Sequence, residues 1–382
     1  MKQGTLAFFG LVAAVTVVAL AGCGGGTSGA NPRLMGRVAD TAGVPVEGVT
    51  VSLEANPSVT TVTNANGVYV LRGVPTSGNF MVRYRKAGFA DSHAIGLVSD
   101  GKYSTMDVVL FREGRAASVA TSSEQVVADA RSDGLNAKVT FPPNRIVNSA
   151  GSPVASANIT VTTAVPTDPR YNSAYPSSFV GVVGGSDVPL TSFGAVHVAL
   201  KDGSGNALRL DASKPATIEF PIAAGHDPGT PEVPLWSLNA STGKWVQEGV
   251  ATRDNSVSPA VYRGQVTHFS WWAINIYPSS THTIIVQTVE DPTISPMVPV
   301  CGALVTARRD RGAWQSRAIT SIPQGLAVFL APPPGPYWVE AKKDYHEDKG
   351  VYSVTTVGNV TTVIYWLRPA STGAPGGCPD CG

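Results

Sequence analysis

The chain has 382 residues, of which 14% are charged, and a formal net charge of +1. That length exceeds one ordinary β-domain and sets two or three domains as the expectation, while the low charge and the lack of a long basic run remove the footing for nucleic-acid binding. The 40 glycines and 29 prolines disfavour long helices and favour short strands joined by tight turns.

The chain opens with Lys2 and an apolar run from Leu6 to Leu20, a positive n-region followed by an h-region too short to span a bilayer. It ends in Leu20-Ala21-Gly22-Cys23. These four residues resemble the lipobox of bacterial lipoproteins, which implies cleavage between Gly22 and Cys23 and acylation of Cys23. Two or three acyl chains would hold the protein on a lipid membrane, each buried CH₂ contributing about 0.8 kcal/mol. Gly24 after the cysteine, rather than Asp, favours the outer membrane by the same resemblance. Residues 1–22 are therefore expected as a signal peptide and 23–32 as the lipidated Cys and a flexible tether.

Short alternating strands follow. Leu34 to Val38 leads to a turn at Asp40-Thr41-Ala42-Gly43, and Val49, Val51 and Leu53 share one face of the next strand. Thr60 to Thr63 enters Asn64-Ala65-Asn66-Gly67 and Val68 to Leu71 leaves it, and Asn-Gly is a strong hairpin signal. Phe80 to Tyr84 and Thr105 to Phe111 complete a small sandwich at 33–113. Gly36-Arg37-Val38, Gly43 to Val51, Thr63 to Tyr69, the Pro75–Phe80 turn and Lys86-Ala87-Gly88-Phe89 together resemble the carboxypeptidase regulatory-like domain. The resemblance implies a transthyretin-like or carbohydrate-binding-like sandwich and, since the family serves as an accessory module, no activity of its own.

Residues 114–134 have little periodicity and are expected as a linker with an irregular first strand. From 135 to 277 alternating runs at 137–144, 157–165, 193–200 and 216–221 predict a larger sandwich, with 166–190 as a long ordered loop. Pro234 to Leu238 and Lys244 to Glu248 read as a hairpin around Asn239 to Gly243, and Val266 to Trp272 as the closing strand. Val139 to Pro142, Pro189 to Val196, Pro234-Leu235-Trp236, Gly243 to Gly249 and His268 to Trp272 resemble the central domain of cartilage intermediate layer protein and its bacterial surface relatives, a ZU5-type sandwich. That likeness implies a non-enzymatic surface role. Residues 283–368 read as a weak repeat of the first module: Pro299 to Val305 answers Pro45 to Val51, Gln324 to Val328 answers Asn66 to Val70, and Pro334 to Val339 answers Ser77 to Val82. The fold expected is all-β, three tandem Ig-like or transthyretin-like sandwiches, closed by a flexible tail at 369–382.

Chemistry is sparse in this sequence. Cys301, Cys378 and Cys381 are candidates for a disulfide beyond the inner membrane, with one thiol left over. Cys378-Pro379-Asp380-Cys381 has CxxC spacing but lacks the context of a redox or zinc site. The histidines show no ligand spacing, so no metal and no cofactor are expected. Lys201 to Asn206 resembles the start of a calcium loop, but Ser213 stands where its glutamate should, and turn residues suffice as an explanation. A Ser/His/Asp site around His268 lacks the G-x-S-x-G elbow, and a strand there would put His268, Ser270 and Trp272 on one face and Phe269 and Trp271 on the other. No catalytic residue is assigned. Trp245, Trp271, Trp314 and Trp338 are the candidates for stacking on sugar rings, with Tyr171, Tyr175 and Phe179 of the long loop as outsiders; burial is the commoner fate of such rings.

The function expected is a non-catalytic, lipid-anchored envelope protein for adhesion, scaffolding or ligand presentation. Its partners would be the membrane, through acylated Cys23, and a glycan or surface protein. The alternatives are a carbohydrate-binding module and an envelope hydrolase; the latter would need acidic or Ser/His clusters that the sequence does not supply.

Overall fold

A computed structural model describes residues 32–369, with breaks at 77, 99–102, 279–281, 294, 298, 301–302, 310–313, 321–323, 332–335, 343–345, 349–351 and 356–359. The signal peptide, the cleavage site at Gly22 and Cys23, the tether up to residue 31 and all three candidate disulfide cysteines (Cys301, Cys378, Cys381) lie outside the described residues. No helix among the described residues is long and apolar enough to cross a membrane.

Module 1 contains β1 (Arg33–Asp40), β2 (Thr50–Leu53), β3 (Thr60–Val62), β4 (Val68–Arg72), β5 (Gly78–Arg85), β6 (Ser92–Val98), β7 (Tyr103–Thr105) and β8 (Val108–Leu110). One sheet runs β4-β1-β7 with β8 also on β1, and the other runs β3-β2-β5-β6. Alternation makes the sandwich: Val49, Val51 and Leu53 all turn inward onto Leu34, Tyr69, Leu71 and Val82. Two motif residues hold the geometry. Thr63 Oγ1 donates to Val46 O at 2.7 Å and accepts from Val49 N at 2.9 Å, tying β3 to the turn before β2. Gly36 lies under the break between β7 and β8, where a Cβ would stand 1.8 Å from Met106 O. The same carbonyl accepts from Tyr69 Oη at 2.8 Å, and Tyr69 in turn meets Tyr84 Oη at 2.8 Å in the core.

Module 2 contains β9 (Arg115–Ala120), β10 (Gln125–Ala128), β11 (Lys138–Phe141), β12 (Ile146–Val147), β13 (Ser156–Ala164), α1 (Tyr171–Ala174), β14 (Val180–Val183), β15 (Ser186–Pro189), β16 (Thr191–Lys201), β17 (Arg209–Leu210), β18 (Ala216–Pro221), β19 (Glu232–Asn239), β20 (Lys244–Asp254), β21 (Val261–Val266) and β22 (Trp271–Ile276). Its main sheet runs β10-β11-β18-β21-β20-β19-β22-β16-β13-β9, with the β14–β15 hairpin attached to β20. Residues from both ends of that order (Val139 and Phe141 on β11, Ile159 and Val161 on β13) share one core with Leu235, Tyr262, Trp272 and Ile274. The sheet therefore curls over on itself.

Three expectations are corrected here. The stretch expected as a linker with one irregular strand, 114–134, carries two strands, β9 and β10, which pair with β13 and β11. Their short, half-exposed edges carry too few apolar residues to show a period. The supposed loop 166–190 contains the one-turn α1 and a hairpin whose turn is Gly184-Gly185, both at positive φ, a turn signal that the sequence reading passed over. The closing strand is two strands: β21 ends at Val266, residues 267–270 bend, and β22 starts at Trp271. The bend resets the alternation, so Phe269 packs with Trp272 in the module core and Trp271 faces the other way.

Module 3 contains β23 (His282–Val289), β24 (Leu304–Arg309), β25 (Trp314–Ile319), β26 (Leu326–Ala331), β27 (Pro336–Lys342), β28 (His346–Asp348), β29 (Tyr352–Thr355) and β30 (Val360–Pro369). Its sheets run β26-β23-β30-β28 and β25-β24-β27-β29, the plan of module 1 with β7 and β8 fused into β30. The hydrogen bonds repeat as well. Thr320 Oγ1 donates to Val300 O and accepts from Ala303 N, as Thr63 does with Val46 and Val49. Thr288 N donates to Gly325 O, as Val38 N does to Gly67 O.

The modules do not stand apart. One apolar cluster runs from Phe111 of module 1 through Tyr171, Tyr175, Phe179, Trp245 and Trp271 of module 2 into Ile284, Trp314 and Tyr365 of module 3.

Candidate functional site

The segment from Val165 to Leu190 organises the places where modules meet. Asp168 ties its start by accepting from Val165 N at 2.8 Å, and Arg170 turns it in the left-handed conformation (φ 58°, ψ 24°). The next rings fall four residues apart, so one turn of helix and its continuation bring them together. Tyr171 sits edge-on to Phe111 of module 1 at 6.2 Å, and Tyr175 stacks on Phe179 at 4.0 Å and lies 5.2 Å from Trp245. Tyr171 Oη meets Ser192 Oγ at 2.8 Å and Tyr175 Oη donates to Asn275 Oδ1 at 3.1 Å; burial pushes both phenols above their ordinary pKa. Asn172 Nδ2 donates to Arg309 O of module 3 at 3.0 Å, and Pro176 O accepts from His93 N of module 1 at 3.1 Å.

The tryptophans follow the same logic. Trp245, Trp271 and Trp314 are 0%, 3% and 1% exposed, so none of them offers a ring face to a sugar. The correction has a physical reason: buried indoles need only one partner for the N–H, and main-chain carbonyls supply it. Trp245 Nε1 donates to Ser178 O at 2.9 Å and Trp271 Nε1 to Asp91 O at 2.6 Å. Tyr171, Tyr175 and Phe179 are buried too. Of the four stacking candidates only Trp338 stays half-exposed.

A polar cluster lies beside Trp271 where modules 1 and 2 join. Asp91 pairs with Arg83 at 2.7 Å and Arg85 at 3.0 Å; burial works against its charge, and the two arginines outweigh it to hold the carboxyl below its ordinary pKa. His93, 6% exposed, stands 3.6 Å from Glu54, and His197 packs 5.1 Å from the Trp271 ring. Burial drives both imidazoles down to about 4, with Arg83 adding to the effect and Asp91 opposing it. Both rings are therefore neutral at pH 7. Glu54 Oε2, both His93 ring nitrogens and His197 Nδ1 are covered and make no hydrogen bond among the described residues.

Elsewhere in module 2, Ser237, Glu248 and His268 come together. Ser237 Oγ donates to Glu248 Oε1 at 2.5 Å, and His268 Nε2 lies 3.0 Å from Glu248 Oε2. The order is serine, carboxylate, imidazole. A nucleophilic triad needs the imidazole between the other two, taking the serine proton. Here the carboxylate occupies that place and Ser237 is buried, so the hydroxyl is held by an acceptor and shielded from substrate. Glu248 also borders an open groove of about 440 Å³ with Thr217, Thr252, Arg263 and Gln265. Arg263 is already paired with Glu219 and Asp254. The groove offers hydrogen bonds and no aromatic face.

The calcium-like segment is a turn. Asp202 Oδ1 accepts from Ser204 N and Asn206 N, and Oδ2 from Asn206 Nδ2, which occupies both oxygens. No group of three or more His, Cys, Asp or Glu among the described residues could hold a metal ion. What the sequence reading missed is the junction role of Tyr171, Tyr175 and Phe179. Their four-residue spacing was the signal available.

With this geometry in view, the likeness of module 1 can be placed. Residues 33–111 match the carboxypeptidase regulatory-like domain. Gly36, Thr63, Gly67 and Tyr69 of this regulatory-like module are the residues that its hydrogen bonds and close approaches require. No curated protein matches the chain. Solved structures that align with it include the Bacillus anthracis TIE protein (12% identity, 89% of this chain and 51% of that one, TM-score 0.19). Others are the major pilin subunit BcpA of Bacillus cereus (9%, 89% and 100%, 0.21) and a candidate carbohydrate-binding protein from Bacteroides uniformis (11%, 65% and 99%, 0.18). The chain spans about half the length of the first of these. Likenesses at such scores carry no argument about what this chain binds or builds.

Proposed function

We propose that the chain is a non-catalytic, lipid-anchored protein of the bacterial cell envelope that holds a binding face away from the membrane for adhesion or scaffolding. The observation that carries this reading is the continuous apolar cluster through all three modules, with the 165–190 segment at its centre. Large rings that a binding module would display are spent on making the body rigid. The Ser237–Glu248–His268 order supports the absence of hydrolytic chemistry.

The test is metabolic labelling with a fatty acid, followed by fractionation of wild type and Cys23→Ala. The wild type should carry the label and sediment with the outer membrane, and Cys23→Ala should lose the label and stay uncleaved. Unlabelled wild type would defeat the anchor. Half-exposed Trp338 favours one second reading, a carbohydrate-binding surface. A glycan array in which Trp338→Ala erases the signals would support it.

A further inference from the structure

Between the start of the 165–190 segment and β24 of module 3 lies a cleft of about 380 Å³ whose lining includes Asp168, Arg170, Asn172, Ser173 and Arg308. Its one carboxylate is already neutralised. Arg131 grips both Asp168 oxygens, at 2.5 and 3.3 Å, and the Val165 N–H adds a third bond. Two guanidinium groups remain on the walls. Arg170 lays its guanidinium against Gly43 of module 1 and donates one N–H to Thr41 O at 3.1 Å, and the Arg308 side chain is exposed with no ion pair or hydrogen bond among the described residues. Arg170 also has the left-handed backbone that residues with a side chain rarely adopt, a conformation that concentrates at functional sites.

We propose that this cleft binds an oxyanion on a sugar-sized molecule, a carboxylate or phosphate group held between Arg170 and Arg308. Guanidinium forks match the two oxygens of such a group, and two cationic side chains lining one cleft favour an anion there. The Asn172 amide and Ser173 hydroxyl on the same wall suit the remaining hydroxyls of a sugar, and the volume falls within the usual range for small-ligand clefts. Module 2 and module 3 supply the lining, and Arg170 leans on module 1, so binding draws on all three being docked. The site goes beyond the envelope role proposed above and does not depend on acylation of Cys23.

The experiment is calorimetric titration of the full chain in detergent with galacturonate, with inorganic phosphate and with uncharged galactose, each at low and high salt. At least one anion should bind saturably, more weakly at high salt, with galactose silent. Arg308→Gln should weaken that binding at least tenfold with an unchanged melting temperature. Arg170→Asn, which keeps a residue tolerant of the left-handed backbone, should weaken that binding likewise. Comparing the two anions separates carboxylate from phosphate. The proposal is overturned by silence from both anions, by undiminished binding in Arg308→Gln, or by galactose binding as well as galacturonate. None of those results would touch fatty-acid labelling of Cys23, so the two readings fail separately.

Discussion

Modules 1 and 3 share a plan and differ in what fills it. Both suspend the turn before their second strand from a threonine, Thr63 or Thr320, through the same pair of main-chain bonds. Ladder register aligns Gly36 with Val286, Tyr69 with Ala327 and Tyr84 with Ala341. Module 1 sets a glycine opposite a tyrosine where module 3 sets a valine opposite an alanine. At that pair the larger side chain has changed strands. The exchange goes with the chain path. In module 1 the break at Met106 drives a carbonyl over Gly36, whereas in module 3 the parallel strand runs unbroken and leaves room for Val286. Topology here follows from a few hydrogen-bonding positions, and the core adapts around them.

The sharpest way to break that comparison is to move a residue across it. Gly36→Val puts a side chain onto Met106 O and should lower the urea-unfolding free energy by at least about 3 kcal/mol, without rescue by Tyr69→Ala because the clash is with main chain. A mild effect, or full rescue, would show that the β7–β8 break is not what demands glycine.

Acid should separate module 1 from module 3 in stability, since His93 of module 1 is buried beside module 2 in the Asp91 cluster. His93 and His197 have folded pKa values near 4 against an ordinary 6.5, so the unfolded chain binds protons more readily between those limits. Their contribution is complete above pH 6.5 and declines as pH falls toward 4, by on the order of 3 kcal/mol for His93. Melting curves of wild type and His93→Asn across that window should converge at the acid end. Parallel curves would remove His93 from the account.

Thr63→Val and Thr320→Val test the shared feature. Each strands a buried N–H and weakens the hold on a carbonyl, so each should cost about 2 kcal/mol by urea melts. A large difference between them would mean that the repeated bonds are not equivalent. The smallest effect is expected outside: Val328 is 58% exposed on module 3's outer sheet face, and Val328→Lys should move stability by less than about 0.5 kcal/mol.

The same comparison explains what was legible in the sequence. Module 1 was readable because Gly36, Gly67 and Tyr69 are each demanded by a specific backbone approach, and such demands leave a motif. Module 3 was readable only as a faint echo, since Val286 and Ala327 replace two of those residues with ordinary core. β9 and β10 were illegible because edge strands with alternately exposed alanine, serine and valine carry no hydrophobic period. The fates of Trp245, Trp271 and Trp314 were undecidable for another reason. A strand pattern tells which face a ring points to, and only the neighbouring module decides whether that face is wet.

The segment between Val165 and Leu190 has one more consequence. Because its Tyr171 rests on module 1, its hairpin on module 2 and its asparagine on module 3, none of the three can be transplanted as a ready-made cassette. Excising any one would leave a wound of aromatic surface on the others, so a lineage that shuffles these sandwiches must rewrite this stretch each time it does so.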